Sequence, residues 1–300
     1  MLAIVGPTGV GKTAVAVGVC QAMGGEIISI DSRQVFRGIE VASNAPTVED
    51  LGGIRCHLVG VLEPSEKVDA ARYIKMARPV LAQVRIDGSL AVLTAGTGLY
   101  LKALLEDLPL GGMTPRPEER ARLEARAASD LPALFAELER LDPKAAGAID
   151  PKNPVRVVRA LELVLGRAAD ASQATPAPRP IPAIKVGLTA PRDVLYQWID
   201  ARVGGMLERG WREEVESLLA MGIDPRRQAF SGLGVAEMAE VVEGRMALDE
   251  ARAVISTKTR NYAKRQLTWF RADPEIEWID VTATGGSDIV DRVSTMLAKK

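Results

Sequence analysis

Short apolar runs alternate with helical patterns through the first hundred residues of the chain. Residues 2–5, Leu-Ala-Ile-Val, read as a buried strand, and residues 14–23 as a helix. A second apolar run at 26–30 leads into Asp31-Ser32, and a third at 89–93 leads into Thr94-Ala95-Gly96-Thr97-Gly98. Between them, residues 70–84 place Ile74, Ala77, Leu81 and Val84 at helical spacing. This alternation predicts a parallel sheet wrapped by helices. In such sheets ligands gather beyond the carboxyl ends of the strands. The segment 6–13, Asp31 and Thr97 are therefore expected to converge.

The pattern changes after the Leu-Pro-Leu-Gly-Gly run at 108–112. Residues 117–167 read as three helices, 117–129, 131–141 and 154–167, with Asn153 as cap and Pro154 in the first turn of the last. Residues 168–182 hold four prolines and almost no apolar periodicity, as a linker would. A strand at 184–188 and helices at 192–208, 211–220, 234–241 and 248–270 follow. The expected organisation is a doubly wound α/β core at 1–112 and 183–300, interrupted by a helical module and linker at 113–182.

Residues 6–13 read Gly-Pro-Thr-Gly-Val-Gly-Lys-Thr, a complete phosphate-binding loop between strand and helix. Backbone N–H groups of Gly6, Thr8, Gly9, Val10 and Gly11 would cradle an anion at the helix N-terminus. Lys12 adds a point charge, and the Thr13 hydroxyl suits a magnesium ion held by the same phosphates. Asp31 reads as a turn cap, a magnesium-binding acid or a general base. No second apolar run ending in aspartate is evident. Five basic residues and no acidic one fall between Lys258 and Arg271, interleaved with Tyr262, Trp269 and Phe270. Lys152, Arg156 and Arg159 form a basic stripe on one helix face. Both basic faces suit a nucleic-acid backbone.

Composition narrows the choices. The 300 residues carry a formal net charge of -1, so no global field attracts nucleic acid. One histidine and two cysteines argue against triad hydrolases, zinc clusters and disulfide frameworks. No run approaches bilayer length, so no membrane association is expected and the pattern points to a cytoplasmic enzyme.

The residues together resemble the tRNA dimethylallyltransferases, which share ancestry with adenylate isopentenyltransferases. The matching blocks are residues 6–13, 31–38 (Asp-Ser-Arg-Gln-Val-Phe-Arg-Gly), 96–100, 153–162 and 259–271. The resemblance implies a P-loop NTPase-like core with an inserted tRNA-binding module. It also implies transfer of a dimethylallyl group from dimethylallyl diphosphate to N6 of the adenosine 3′ of a tRNA anticodon, by a monomer using Mg2+. Asp31 would be the base, Thr97 its support and adenosine contact, and Lys12 the principal charge on the diphosphate. Asp31, Ser32, Arg33 and Gln34 would receive the target base. Arg120, Val155, Arg156, Val157, Val158 and Arg159 would grip the anticodon stem, with Arg260, Lys264, Arg265 and Gln266 as further RNA contacts.

Several positions depart from the pattern. Phe36 stands for a tyrosine, residues 42–46 lack a lysine, and Ala95 and Asn261 replace glycine and glutamine. Ser231 falls where an arginine assists the diphosphate, leaving Arg226 and Arg227 as nearby candidates for that charge. The alternatives are an isopentenyltransferase acting on free AMP, a small-molecule kinase, and an RNA-binding relative with decayed catalysis.

Overall fold

A computed structural model of the protein describes residues 1–108, 117–169, 179–224, 227–232 and 234–299. Among the described residues one all-parallel sheet has six strands: β1 (Leu2–Val5), β2 (Gly25–Ile30), β3 (Cys56–His57), β4 (Leu90–Ala95), β5 (Ile184–Thr189) and β6 (Ile276–Asp280). Their order is β3-β2-β4-β1-β5-β6. Every residue of β1 is buried, as expected of a central parallel strand covered on both faces.

The chain divides into two compact units, Met1–Leu108 with Arg179–Lys300, and Pro109–Pro178. The first holds the sheet with α1 (Lys12–Met23), α2 (Val48–Leu51), α3 (Ala70–Ile86) and α4 (Gly98–Leu105). The second holds α5 (Pro117–Ser129), α6 (Leu131–Leu141), α7 (Pro143–Gly147) and α8 (Pro154–Ala169). The first unit resumes with α9 (Arg192–Glu208), α10 (Trp211–Ala220), a 3-10 turn (Gln228–Ser231), α11 (Val235–Val242), α12 (Leu248–Arg271) and α13 (Gly286–Ala298). Most of the stretch expected as a linker lies outside the described residues. The units meet at residues 108/109 and 178/179, four residues before the boundaries expected from composition.

Register explains why the loop after β1 faces Asp31. Ala95 of β4 pairs with Val5 of β1 on one side and Ile30 of β2 on the other. The next residue of each strand is therefore Gly6, Asp31 and Gly96, side by side at the carboxyl edge. On the far side of β1, the carbonyl oxygen of Leu188 in β5 comes so close to Gly6 that a Cβ there would lie 2.5 Å from it. Gly6 also has φ 142°, so both space and backbone demand glycine.

The C-terminal β6 and α13 were not anticipated. Strand β6 does end an apolar run in aspartate, the pattern judged missing from the sequence. It lies at the sheet edge, two strands from β1. Its Asp280 Oδ1 accepts from Thr282 N (2.9 Å) and Thr282 Oγ1 (2.7 Å), which makes it a local turn cap and no second acid for the loop.

In the helical unit, Val157 and Val158 are 0% and 2% exposed and pack with Leu123, Leu134 and Leu138. Expected as RNA contacts, they belong to this unit's core instead. Val155 (68% exposed), Arg156 and Arg159 lie on the outer face of α8. Arg159 and Arg120 converge on the buried carboxylate of Glu162, at 2.7 and 3.7 Å, which fixes two cations side by side while their side chains stay 45% exposed.

Candidate active site

The phosphate loop turns on three glycines of positive φ, Gly6, Gly9 and Gly11, and delivers Lys12 as the first residue of α1. Lys12 Nζ donates to the carbonyls of Gly6 (3.0 Å) and Pro7 (2.9 Å), so the ammonium lies across the mouth of the loop. Burial pushes its pKa down to about 8, Arg202 adds to the depression, and Asp31 opposes it. Thr13 lines the same cavity, of about 320 Å³, with Asp31, Gln34, Asn44 and Tyr262.

Thr8 is held from two distant helices. Its N–H donates to Gln266 Oε1 at 2.8 Å, and its hydroxyl accepts from Arg202 Nη2 at 2.7 Å. Gln266 Nε2 also donates to the Gly96 carbonyl at 2.7 Å. Expected as an RNA contact, Gln266 is 6% exposed and has both ends of its amide engaged. It ties the loop after β1 to the end of β4.

Asp31 is both a turn cap and a free carboxylate edge. Its Oδ1 accepts from the N–H groups of Arg33 (2.8 Å) and Gln34 (3.3 Å), an Asx turn that fixes the ring of contacts around it. Its Oδ2 has no hydrogen-bond partner among the described residues and overhangs Gly96, where an added Cβ would lie 2.7 Å away. Among the described residues Thr97 makes no hydrogen bond to Asp31. Its Oγ1 accepts from Ser32 N (3.2 Å) and donates to Ser32 Oγ (3.4 Å), so it supports the neighbouring residue of the turn. Gln34 is spent on structure: its Oε1 accepts from Ser29 Oγ (2.7 Å) and its Nε2 donates to the Asn44 carbonyl (3.0 Å).

A second cavity of about 310 Å³ adjoins the first and shares Thr8, Asp31, Asn44, Arg202 and Tyr262 with it. One wall is apolar, built from Val203, Met206, Trp211, Val235 and Ile255. Three arginines line it, Arg33, Arg202 and Arg265, against the single carboxylate of Asp31. The Tyr262 hydroxyl donates to the Gly96 carbonyl at 3.4 Å. Burial, then the charge of Asp31, push its pKa up to about 12, against the pull of Arg33 and Arg265, so the phenol stays protonated.

Arg202 is the main residue that sequence reading missed. It sits on α9, where Burial and then Arg209 lower its pKa to about 10, against Asp31. Its Nε is buried with no hydrogen-bond partner among the described residues. The candidates for the charge missing at Ser231 fare differently: Arg226 lies outside the described residues, and Arg227 is exposed before the 3-10 turn. On α12, Arg260 pairs with Asp200 (3.0 Å from Nε). Lys264 is exposed with no carboxylate partner among the described residues, and Arg265 lies over the Tyr262 ring at 5.6 Å.

Fold and site together set a P-loop, of a shape suited to a phosphorylated ligand, beside a carboxylate and an apolar-walled cavity, as in an enzyme. The family model described as IPP transferase matches residues 34–273, and that described as isopentenyl transferase matches residues 1–64. The chain is 41% identical over 288 residues to a tRNA dimethylallyltransferase of Thermomicrobium roseum, covering 95% of this chain and 87% of that one. It is 37% identical to one of Halalkalibacterium halodurans, covering 100% and 97%. The crystal structure of the full-length tRNA isopentenylpyrophosphate transferase of Bacillus halodurans is similar, with a TM-score of 0.76, 36% identity, and coverage of 99% and 95%. The fold is also that of a eukaryotic dimethylallyltransferase (TM-score 0.82, 21% identity, coverage of 100% and 80%). The chain belongs to the IPP transferase family.

Two outcomes follow from this geometry. Gln266→Leu strands the Thr8 N–H and leaves the Gly96 carbonyl only its longer bond from Tyr262, so urea unfolding should show a loss of about 1–3 kcal/mol. Sulfate keeps its charge across neutral and alkaline pH, so the pH dependence of its affinity reports groups of the protein. Above a pKa of about 8 the Lys12 ammonium loses its proton and its attraction for an anion. Calorimetric sulfate affinity should therefore fall as pH rises through about 8, and Lys12→Arg should carry the plateau to higher pH.

Proposed function

We propose that this enzyme, acting as a monomer in the cytoplasm, transfers a dimethylallyl group from dimethylallyl diphosphate to N6 of the adenosine 3′ of a tRNA anticodon. The observation that carries the reading is one carboxylate oxygen of Asp31 held by its turn while the other is left free, beside the phosphate loop. An exocyclic adenine amine is a poor nucleophile, since its lone pair is delocalised into the ring. A fixed carboxylate that takes its proton as the new C–N bond forms answers that weakness. The breaking C–O bond leaves negative charge on the diphosphate, where the loop N–H groups, Lys12 and Arg202 receive it. The apolar wall of the adjoining cavity suits the five-carbon chain.

Magnesium fits this donor set. The Thr13 hydroxyl makes no hydrogen bond among the described residues and lines the loop cavity with the Asp50 carboxylate, oxygen donors of the kind a hard cation prefers. When bound there, the ion would neutralise part of the diphosphate charge. The rest of the diphosphate binding falls to this chain's own cations and N–H groups.

The target base leaves its stack to reach Asp31. Val155, Arg156, Arg159, Arg120, Lys264 and Arg265 remain as proposed RNA contacts, mainly to phosphate and shape. Free AMP as acceptor would leave the exposed basic residues of each unit unused.

Incubation with labelled donor and either an anticodon stem-loop or AMP tests the reading. Label is expected in the stem-loop. Label in AMP alone overturns the acceptor, and ATP turnover without alkyl transfer overturns the reaction class. Asp31→Asn keeps the Oδ1 acceptor of the turn and loses the base. Single-turnover transfer should fall about 10²- to 10⁴-fold with stem-loop affinity within about twofold. A wild-type rate removes Asp31 from the base role.

A further inference from the structure

Arg33 belongs to the same turn as Asp31, and the family resemblance places it against the target base. Its side chain goes elsewhere. It runs past Gly232, with Cδ 3.7 Å from where a Cβ would stand, and Nη1 donates to the Gln228 carbonyl at 2.9 Å. That same carbonyl accepts from Ser231 Oγ at 2.7 Å. Arg33 therefore brings a guanidinium to the position next to Ser231, where the resemblance expects an arginine from the chain itself.

The anchor is rigid. Gln228 is locked to Val68 through both ends of its amide, Oε1 to Val68 N at 2.8 Å and Nε2 to Val68 O at 2.6 Å. A guanidinium carries five N–H donors, and Gln228 takes one side of this one. Among the described residues no carboxylate pairs with Arg33, and its side chain lines the cavity that shares Thr8 and Arg202 with the phosphate loop. Four donors fixed at the wall of a cavity already lined by Arg202 are arranged for an oxyanion, and a planar fork suits phosphate oxygens.

We infer that Arg33 is a diphosphate-binding residue which supplies, from the Asp31 turn, the positive charge that Ser231 does not. The inference rests on the prenyl-transfer reading above. Charge at this wall is then delivered by either of two backbone positions that share one anchoring carbonyl, residue 33 or residue 231. The arrangement also couples the two halves of the reaction. The turn that fixes Asp31 through the Arg33 N–H carries on its side chain the group that meets the leaving diphosphate.

The test measures binding of inorganic diphosphate with magnesium by calorimetry, and of an anticodon stem-loop in parallel. Arg33→Ala should weaken diphosphate binding about 10- to 100-fold, the usual size of a lost charged hydrogen bond, with stem-loop affinity within about twofold. Arg33→Ala combined with Ser231→Arg should regain most of the loss. Arg33→Gln keeps an amide donor for the turn region while removing the charge, and it serves should the alanine variant fail to fold. Unchanged diphosphate affinity in a folded Arg33 variant overturns the inference. So does loss of stem-loop affinity alone, which would assign Arg33 to RNA phosphate. Lys12→Ala separates the two levels of argument. If it too leaves diphosphate affinity intact, the phosphate-loop reading itself falls; if it weakens binding and Arg33→Ala does not, only the role of Arg33 falls.

Discussion

Ala95 pairs with Val5 on one side and Ile30 on the other, and the chemistry of the protein depends on that row. Parallel register lets three strands end level, so the residues that follow them meet without any loop needing to reach. Gly6 opens the phosphate loop, Asp31 opens the Asx turn, and Gly96 supplies the bare surface over which the Asp31 carboxylate lies. Gln266 then ties two of the three together, through Thr8 N and the Gly96 carbonyl. A shift of one residue in either pairing would separate the carboxylate from the anion site by about 3.3 Å, enough to forfeit a proton transfer that works only at hydrogen-bond distance.

Charge around this row is arranged in one direction. Lys12, Arg202, Arg33 and Arg265 line the two cavities with Asp31, and burial lowers the pKa of both Lys12 and Arg202. Cations with depressed pKa values gain from an entering anion twice over, by attraction and by relief of the cost of burying charge. On the proposed reading, diphosphate binding is thereby linked to the protonation of Lys12. Asp31 faces the opposite demand. As the proposed base it must accept a proton from the amine, and two N–H groups hold its Oδ1 in place while Oδ2 is left open.

Legibility in the sequence followed the distance between partners. The phosphate loop, the strands leading to Asp31 and Thr97, and most helices were readable because each is a contiguous pattern. Thr8 shows where this ends: its two partners, Arg202 and Gln266, are 194 and 258 residues away. Arg202 falls within a helical segment whose periodicity says nothing about one arginine on it. Gln266 sits in a basic, aromatic-rich helix that suggests RNA, and only burial shows that its amide is used inside. Val157 and Val158 were carried over with their neighbours on α8, though a helix turns consecutive residues to different faces and sends these two into the core. Strand β6 was missed because its apolar run is broken by Glu277, as an edge strand's can be, and its Asp280 turned out to cap a turn.

That last residue bears on the kind of reaction. A P-loop enzyme that moves a phosphoryl group commonly holds its metal with a loop hydroxyl and an acid from a neighbouring strand. Here the strand ends beside β1 carry Asp31 and Gly96 on one side and Ala190 on the other. Asp31 is turned toward Gly96 and fixed by its own turn, an arrangement that suits the proposed general base. The apolar wall next to it suits the carbon chain of an allylic donor. An allylic diphosphate brings both halves, and the joined cavities offer both kinds of lining: cations and N–H groups for the charge, and Val203, Met206 and Val235 for a carbon chain.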